Sequence, residues 1–253
     1  MNYNKASYRL ILQSAANQGF EFVDFFTVTP DDDKRRQIIL RHDIDYSLTS
    51  ACEMAEIDAK YKIRATFSLL LSSPLYNPFT PTNIKIINEI KQLGHNVVLH
   101  HHVLPEQGAE EIQGDIIKEM QIMMAFFPYI QPVFVWHNPP PGNLLSEIEV
   151  PGMINAYSDS FVRNMFYISD SVLRNTPENF LKALKKQRLI HMLLHPIIWM
   201  SEQDNMISLM SYVLTEIIRD CDREFLGSKV WKKKFPNGIP QEVLDKLQAL
   251  LSS

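Results

Sequence analysis

The chain has 253 residues, 45% of them hydrophobic and 21% charged, with a net charge of −4. That is the composition of an ordinary folded protein, with no basic field to attract nucleic acid or an anionic membrane. Its eight glycines form no G-x-G-x-x-G or G-K-[ST] run, and G-x-S-x-G, H-E-x-x-H and C-x-x-C are also missing; this excludes the common nucleotide-loop, serine-hydrolase and thiol machinery.

Residues 4–18 read as an amphipathic helix with Tyr8, Ile11, Leu12 and Ala15 on one stripe. A strand is expected over 37–42, then a helix over 48–61 entered through Ser47 or Thr49 as cap. A second strand (64–71) leads through a Pro- and Asn-rich loop to a helix over 82–93 that Gly94 closes. A third strand (96–101) precedes a long helix over 110–127, and a fourth (132–136) runs into the loop 137–142. Residues 150–168 hold two short strands. A helix (177–186), a strand (189–194) and helices near 206–223 and 241–250 follow. The alternation predicts one domain over 1–253. It is a deformed (β/α) barrel of about seven parallel strands, with the N-terminal helix (about 4–18) and a C-terminal helical tail (about 228–253).

Lys232-Lys233-Lys234 reads as a solvated helix end, and Cys52 and Cys221 as two reduced thiols. Met1-Asn2-Tyr3-Asn4-Lys5 lacks the apolar stretch of a signal peptide, and no run reaches the ~18 apolar residues of a membrane span. A cytoplasmic location, no nucleic-acid partner and no membrane span are therefore expected.

All eight histidines lie between His42 and His195, and most end an expected strand. In a β/α barrel those ends form the rim that carries chemistry. Asp43 and Asp45 are two apart, so in extended chain both carboxylates face one side, which calls for a cation or proton between them unless one caps the next helix. His100 and His102 have the same spacing, with His101 facing away. Imidazole and carboxylate together suit zinc or another first-row divalent ion.

Leu40-Arg41-His42-Asp43-Ile44-Asp45 resembles the first motif of the polysaccharide deacetylase (NodB homology, carbohydrate esterase family four-like) superfamily, in its H-D-x-D variant. Leu93-Gly94-His95-Asn96-Val97-Val98-Leu99-His100 is similar to its second motif, Trp136-His137-Asn138-Pro139-Pro140 to its third, and Leu193-Leu194-His195-Pro196 to its last. The four stand in order across residues 38–199. The resemblance implies a barrel hydrolase that removes an acetyl group from an N- or O-acetylated sugar or oligosaccharide, assisted by one divalent metal, zinc or else Co, Ni, Mn or Fe. It gives Asp43 the role of general base, Asp45 and His100 those of metal ligands, and His195 that of general acid. The family's second metal histidine falls at Leu104, and His102 is taken as its replacement. The third-motif arginine that orients the base falls at Asn138, which cannot form an ion pair with a carboxylate.

Trp136, His137, Asn138 and Pro139 are expected to bind substrate, and Pro140, Tyr76 and Phe79 lie on loops from which a ring can stack on sugar. His95, at the opposite end of its strand from His100, is expected to be structural. A cytoplasmic site without the arginine points to the WbmS-like branch and to bacterial surface-polysaccharide metabolism. Two other readings stay open. One is a weak or inactive deacetylase-like barrel that binds a glycan or partner, and the other a related hydrolase of non-peptide C–N bonds.

Overall fold

The computed structural model describes all residues except 31, 33, 105, 140–143, 204, 252 and 253, and all side chains except those and 144, 145, 248, 250 and 251. Eight strands stand among the described residues: β1 (Phe20–Val23), β2 (Arg36–Ile44), β3 (Thr66–Leu70), β4 (Asn96–His102), β5 (Val133–His137), β6 (Ile154–Asn155), β7 (Phe166–Ser169) and β8 (Leu189–Leu194). Every ladder between them is parallel. Seven run side by side in the order β6-β5-β4-β3-β2-β8-β7 and curl, with alternating helices, into a deformed (β/α) barrel. β1, an addition to the strands expected above, pairs residues 36–39 of β2, while β3 pairs residues 41–44. β8 pairs residues 37–42.

Local chemistry sets the helix starts. Asn4, Ser47 and Thr80 each accept a bond from the backbone N–H three residues on, capping helices Lys5–Asn17, Leu48–Lys60 and Pro81–Gln92. Gly94 turns the last of these into β4 at φ +99°, a backbone region that L side chains avoid. Residues Met1–Met206 form one compact unit that holds the whole sheet. Ile207–Ser253 form a second, helical unit. In it, helix Lys229–Lys234 carries Lys232, Lys233 and Lys234 in its last turn, where cations complement the helix dipole.

Parallel strands alternate their side chains between the barrel interior and the helices outside. Ile39, Val98, Val133, Val135 and Leu189 pack with Phe25, Phe161 and Met165 in one interior cluster. Counting on by twos from these residues gives Arg41 and Asp43 on β2, His100 on β4, His137 on β5 and His191 on β8. The interior thus holds an apolar layer at Ile39, Val98, Val133, Val135 and Leu189, and turns polar from there toward the C-terminal rim.

His95 lies just before β4, at the end away from the rim. It is fully buried: its Nδ1 accepts from the Ala65 amide at 3.2 Å and its Nε2–H donates to the Ala55 carbonyl at 2.9 Å. Burial keeps this ring's pKa below the ordinary 6.5. His95→Ala should cost on the order of 2–4 kcal/mol by stranding two buried backbone groups. The unfolded chain takes up the proton first, so His95's contribution is complete above pH 6.5 and shrinks as pH falls below it. Urea denaturation should show the gap between wild type and variant narrowing from pH 7.5 to 5.

Candidate active site

The polar rim is built by strand ends that parallel pairing brings side by side. Asp45 follows the last residue of β2, His100 stands near the end of β4, His137 ends β5, and His195 follows β8. Their side chains meet. Asp45 Oδ1 lies 3.1 Å from His100 Nε2 and 3.3 Å from His137 Nδ1, and the two ring nitrogens are 3.2 Å apart. Four donors placed tetrahedrally at 2.0–2.1 Å around a zinc ion lie about 3.3 Å from one another, so the three atoms fit one such ion and leave a fourth direction open. The rings are also held from behind: His100 Nδ1–H donates to the Val135 carbonyl at 3.4 Å, and the Asn138 side-chain carboxamide lies 3.1 Å from His137 Nε2, where its oxygen accepts the Nε2–H of a ring that ligates through Nδ1. Outer partners of this kind fix the orientation of metal-binding histidines. Asn138 reaches back because it adopts φ +48°, a conformation that asparagine tolerates well among non-glycine residues.

Asp43 borders this trio without joining it, its Oδ2 3.9 Å from His100 Nε2. Arg41 clamps it from the interior: Nε donates to Oδ1 at 2.9 Å and Nη2 to Oδ2 at 3.1 Å, while Ser68 Oγ donates to Oδ1 at 2.6 Å. Burial opposes the charge on Asp43, but Arg41, then His100 and His195, hold its carboxyl below the usual range. Asp45 is largely buried, yet bonds from His100 and His137 and the nearby His195 keep it ionised well below that range.

On the other side, His195 Nε2 approaches Asp45 Oδ2 at 3.6 Å. Beneath it lies Asp170, fully buried just after β7, which accepts from His195 Nδ1 at 2.6 Å, from the His195 amide at 3.0 Å and from Trp199 Nε1 at 2.7 Å. Burial disfavours the imidazolium, but Asp170, then Asp45 and Asp43, raise its pKa to about 9. Arg41 and Asp43 neutralise each other, and protonated His195 offsets one of Asp45 and Asp170. One negative charge remains for a cation.

The structure brings Asp43, Asp45, His100 and His195 together, and the trio takes His137 where the sequence reading placed His102. His102 and His137 are register partners, so His102 sits one pleat farther out than His100. It is exposed, its ring 5.2 Å from that of His137. Trp136, expected against substrate, faces the other side of the sheet, because alternation separates it from His137; it is buried against His101 and Phe134. Asn138 and Pro139 are exposed at the rim, and Pro140 lies outside the described residues. Tyr76 donates to the Ile44 carbonyl at the end of β2, and Phe79 packs on Phe126 and Phe127 at the end of helix Ala109–Phe126, so both side chains tie their loop to the body of the fold. Leu104 is exposed beyond β4.

Two residues were missed. Arg41 shares a strand face with Asp43 at the i, i+2 spacing, the signal that could have revealed it. Asp170 had only its position after a short strand to mark it. The ion pair denied to Asn138 is made instead by Arg41.

No family model and no curated protein matches the chain. Solved structures similar to it include WT BA3943, a CE4 family pseudoenzyme from Bacillus anthracis, at 15% identity over 78% of this chain and 68% of that one, with a TM-score of 0.45. Peptidoglycan deacetylase PdaC from Bacillus subtilis is similar at 17% identity, over 78% and 99%, with a TM-score of 0.47. The chitin deacetylase from Colletotrichum lindemuthianum is similar at 14% identity, over 70% and 81%, with a TM-score of 0.46.

Elemental analysis of purified variants tests the trio. His137→Ala and Asp45→Asn should lose most bound divalent metal, whereas His102→Ala and Asp43→Asn should retain it.

Proposed function

We propose that this protein is a metal-dependent hydrolase that removes an acetyl group from an N- or O-acetylated sugar, in bacterial surface-polysaccharide metabolism. The observation that carries the reading is the pairing of a clamped carboxylate and a carboxylate-backed imidazolium on either side of one metal-ligand trio. Asp45, His100 and His137 would hold the ion. Bound there, it supplies Lewis acidity toward a water and an acyl oxygen.

The chain's own residues do the proton work. Asp43 is ionised at neutral pH and has both oxygens tied to Arg41 and Ser68, leaving the trio-facing side of Oδ2 to accept a proton from the attacking water. His195, charged at neutral pH and oriented through Nδ1 by Asp170, presents Nε2–H to the departing nitrogen or oxygen of the sugar. Separate carboxylates serve base and acid, so each keeps the protonation state its step requires. Exposed Tyr46, next to Asp45, and the exposed pair Asn138 and Pro139 border the opening where a sugar would lie.

Acetate release from acetylated oligosaccharides tests the reading. Wild type should release acetate, lose activity to a chelator and regain it with zinc. Asp43→Asn and His195→Ala should each lower kcat by about 10²–10⁴ with little change in KM. A metal-loaded wild type that binds acetylated glycans but releases no acetate would establish the binding-module reading instead.

A further inference from the structure

Arg41 is buried in the barrel interior and commits four donor contacts. Two go to Asp43, one from Nη2 to the Tyr157 hydroxyl at 3.1 Å and one from Nη1 to His191 Nε2 at 3.3 Å. A fork that grips a carboxylate with two parallel bonds fixes that carboxylate only if its own plane is fixed. The arginine stem cannot do this alone, being a chain of rotatable bonds. The plane must be set from the side away from Asp43, and two groups stand there. Tyr157 also lays its ring against the guanidinium, with Arg41 Cζ 4.9 Å from the centroid, but it is only part-buried, so water can compete for its hydroxyl. His191 is sealed from solvent.

His191 is built as an acceptor. Its Nδ1–H donates to the Phe161 carbonyl at 3.1 Å, which fixes the tautomer and leaves a lone pair on Nε2 facing Arg41. The rings of Phe25 and Tyr167 meet it edge-on at 5.4 and 5.1 Å and fix its tilt. Burial, and after it the guanidinium, drive its pKa down to about 3, so the ring stays neutral in any physiological medium. A protonated ring would aim N–H at N–H and bury two like charges.

We infer that His191 is a positioning residue for Asp43, acting through Arg41: it is the neutral acceptor that sets the guanidinium plane and thereby aims the base. The inference rests on the reading of Asp43 as base. A filler of the same volume would pack the site equally well, so what distinguishes His191 is its acceptor atom. His191→Phe keeps the volume and removes that atom. His191→Gln keeps an acceptor for Arg41 and a donor for Phe161.

The test uses the metal-loaded full-length protein with two readouts. The first is kcat and KM for acetate release. His191→Phe should lower kcat by about 10²-fold at nearly constant KM, as for a misaimed group, and His191→Gln should recover most of it. The second is the side-chain spectrum of ¹⁵N-labelled arginine, in which hindered rotation of the Arg41 guanidinium reports its clamping without any turnover. Rotation should be slow in wild type and His191→Gln and fast in His191→Phe, with metal content equal in all three. Slow rotation with full activity in His191→Phe overturns the inference, and so does equal loss in both variants, which marks a structural role. If wild type shows no turnover, the proposed function fails separately. The spectra still decide the anchor: release only in His191→Phe supports it, and an unchanged signal refutes it.

Discussion

A guanidinium buried inside a barrel demands an anion at a fixed place, and Arg41 takes Asp43. Removing a charge from water is costly, and in a buried pair the loss of one partner costs about 3–5 kcal/mol because the other is left uncompensated. The pair is therefore not free to drift, and the groups around it are arranged to suit. Ser68 shares the same carboxylate oxygen as Arg41, while Tyr157 and His191 take two of the three remaining guanidinium hydrogens. Asp43 reaches the rim already spoken for on two sides, with one direction left toward the histidines. The position of the neighbouring trio then follows from the ladders, because β2, β3, β4 and β5 are parallel neighbours in one sheet.

The same strands divide the labour between stability and chemistry by layer. Ile39, Val98, Val133, Val135 and Leu189 fill the lower interior with apolar volume. Two residues farther along, the same faces carry Arg41, His100, His137 and His191. Each polar side chain is thereby planted on a strand whose base is fixed by close packing, which limits how far it can swing. The outer face carries its own polar cluster. His42 lies 2.9 Å from Asp58, which also accepts from Tyr8, tying β2 to helices Leu48–Lys60 and Lys5–Asn17.

Much of this was legible in the sequence because its signals are local. β-branched runs and capping residues located five of the eight strands to within about two residues, and the short pair β6 and β7 fell in the expected 150–168 region. Strand-end histidines and the paired aspartates marked the rim. What stayed hidden depends on distance along the chain. Asp170 meets His195 across 25 residues, and no spacing rule joins them. The exchange of His102 for His137 turns on register between β4 and β5, which a single strand's pattern does not contain. Trp136 was misplaced for a simpler reason: once His137 faces inward, alternation sends its neighbour outward. β1 escaped because four residues between Gly19 and a loop give too short a window for a period to show.

The tandem seating of β1 and β3 along one edge of β2 has a kinetic meaning. With β8 on the opposite edge, residues 37–39, 41 and 42 of β2 are paired on both sides. Opening such a stave requires two ladders to part at once, so its amides belong to the last class to exchange with solvent, near the limit of global unfolding. Arg41 stands in this doubly paired stretch, and Asp43, paired to β3 alone, follows it two residues on. The arginine, held on both edges of its strand, is the fixed point from which the carboxylate is gripped.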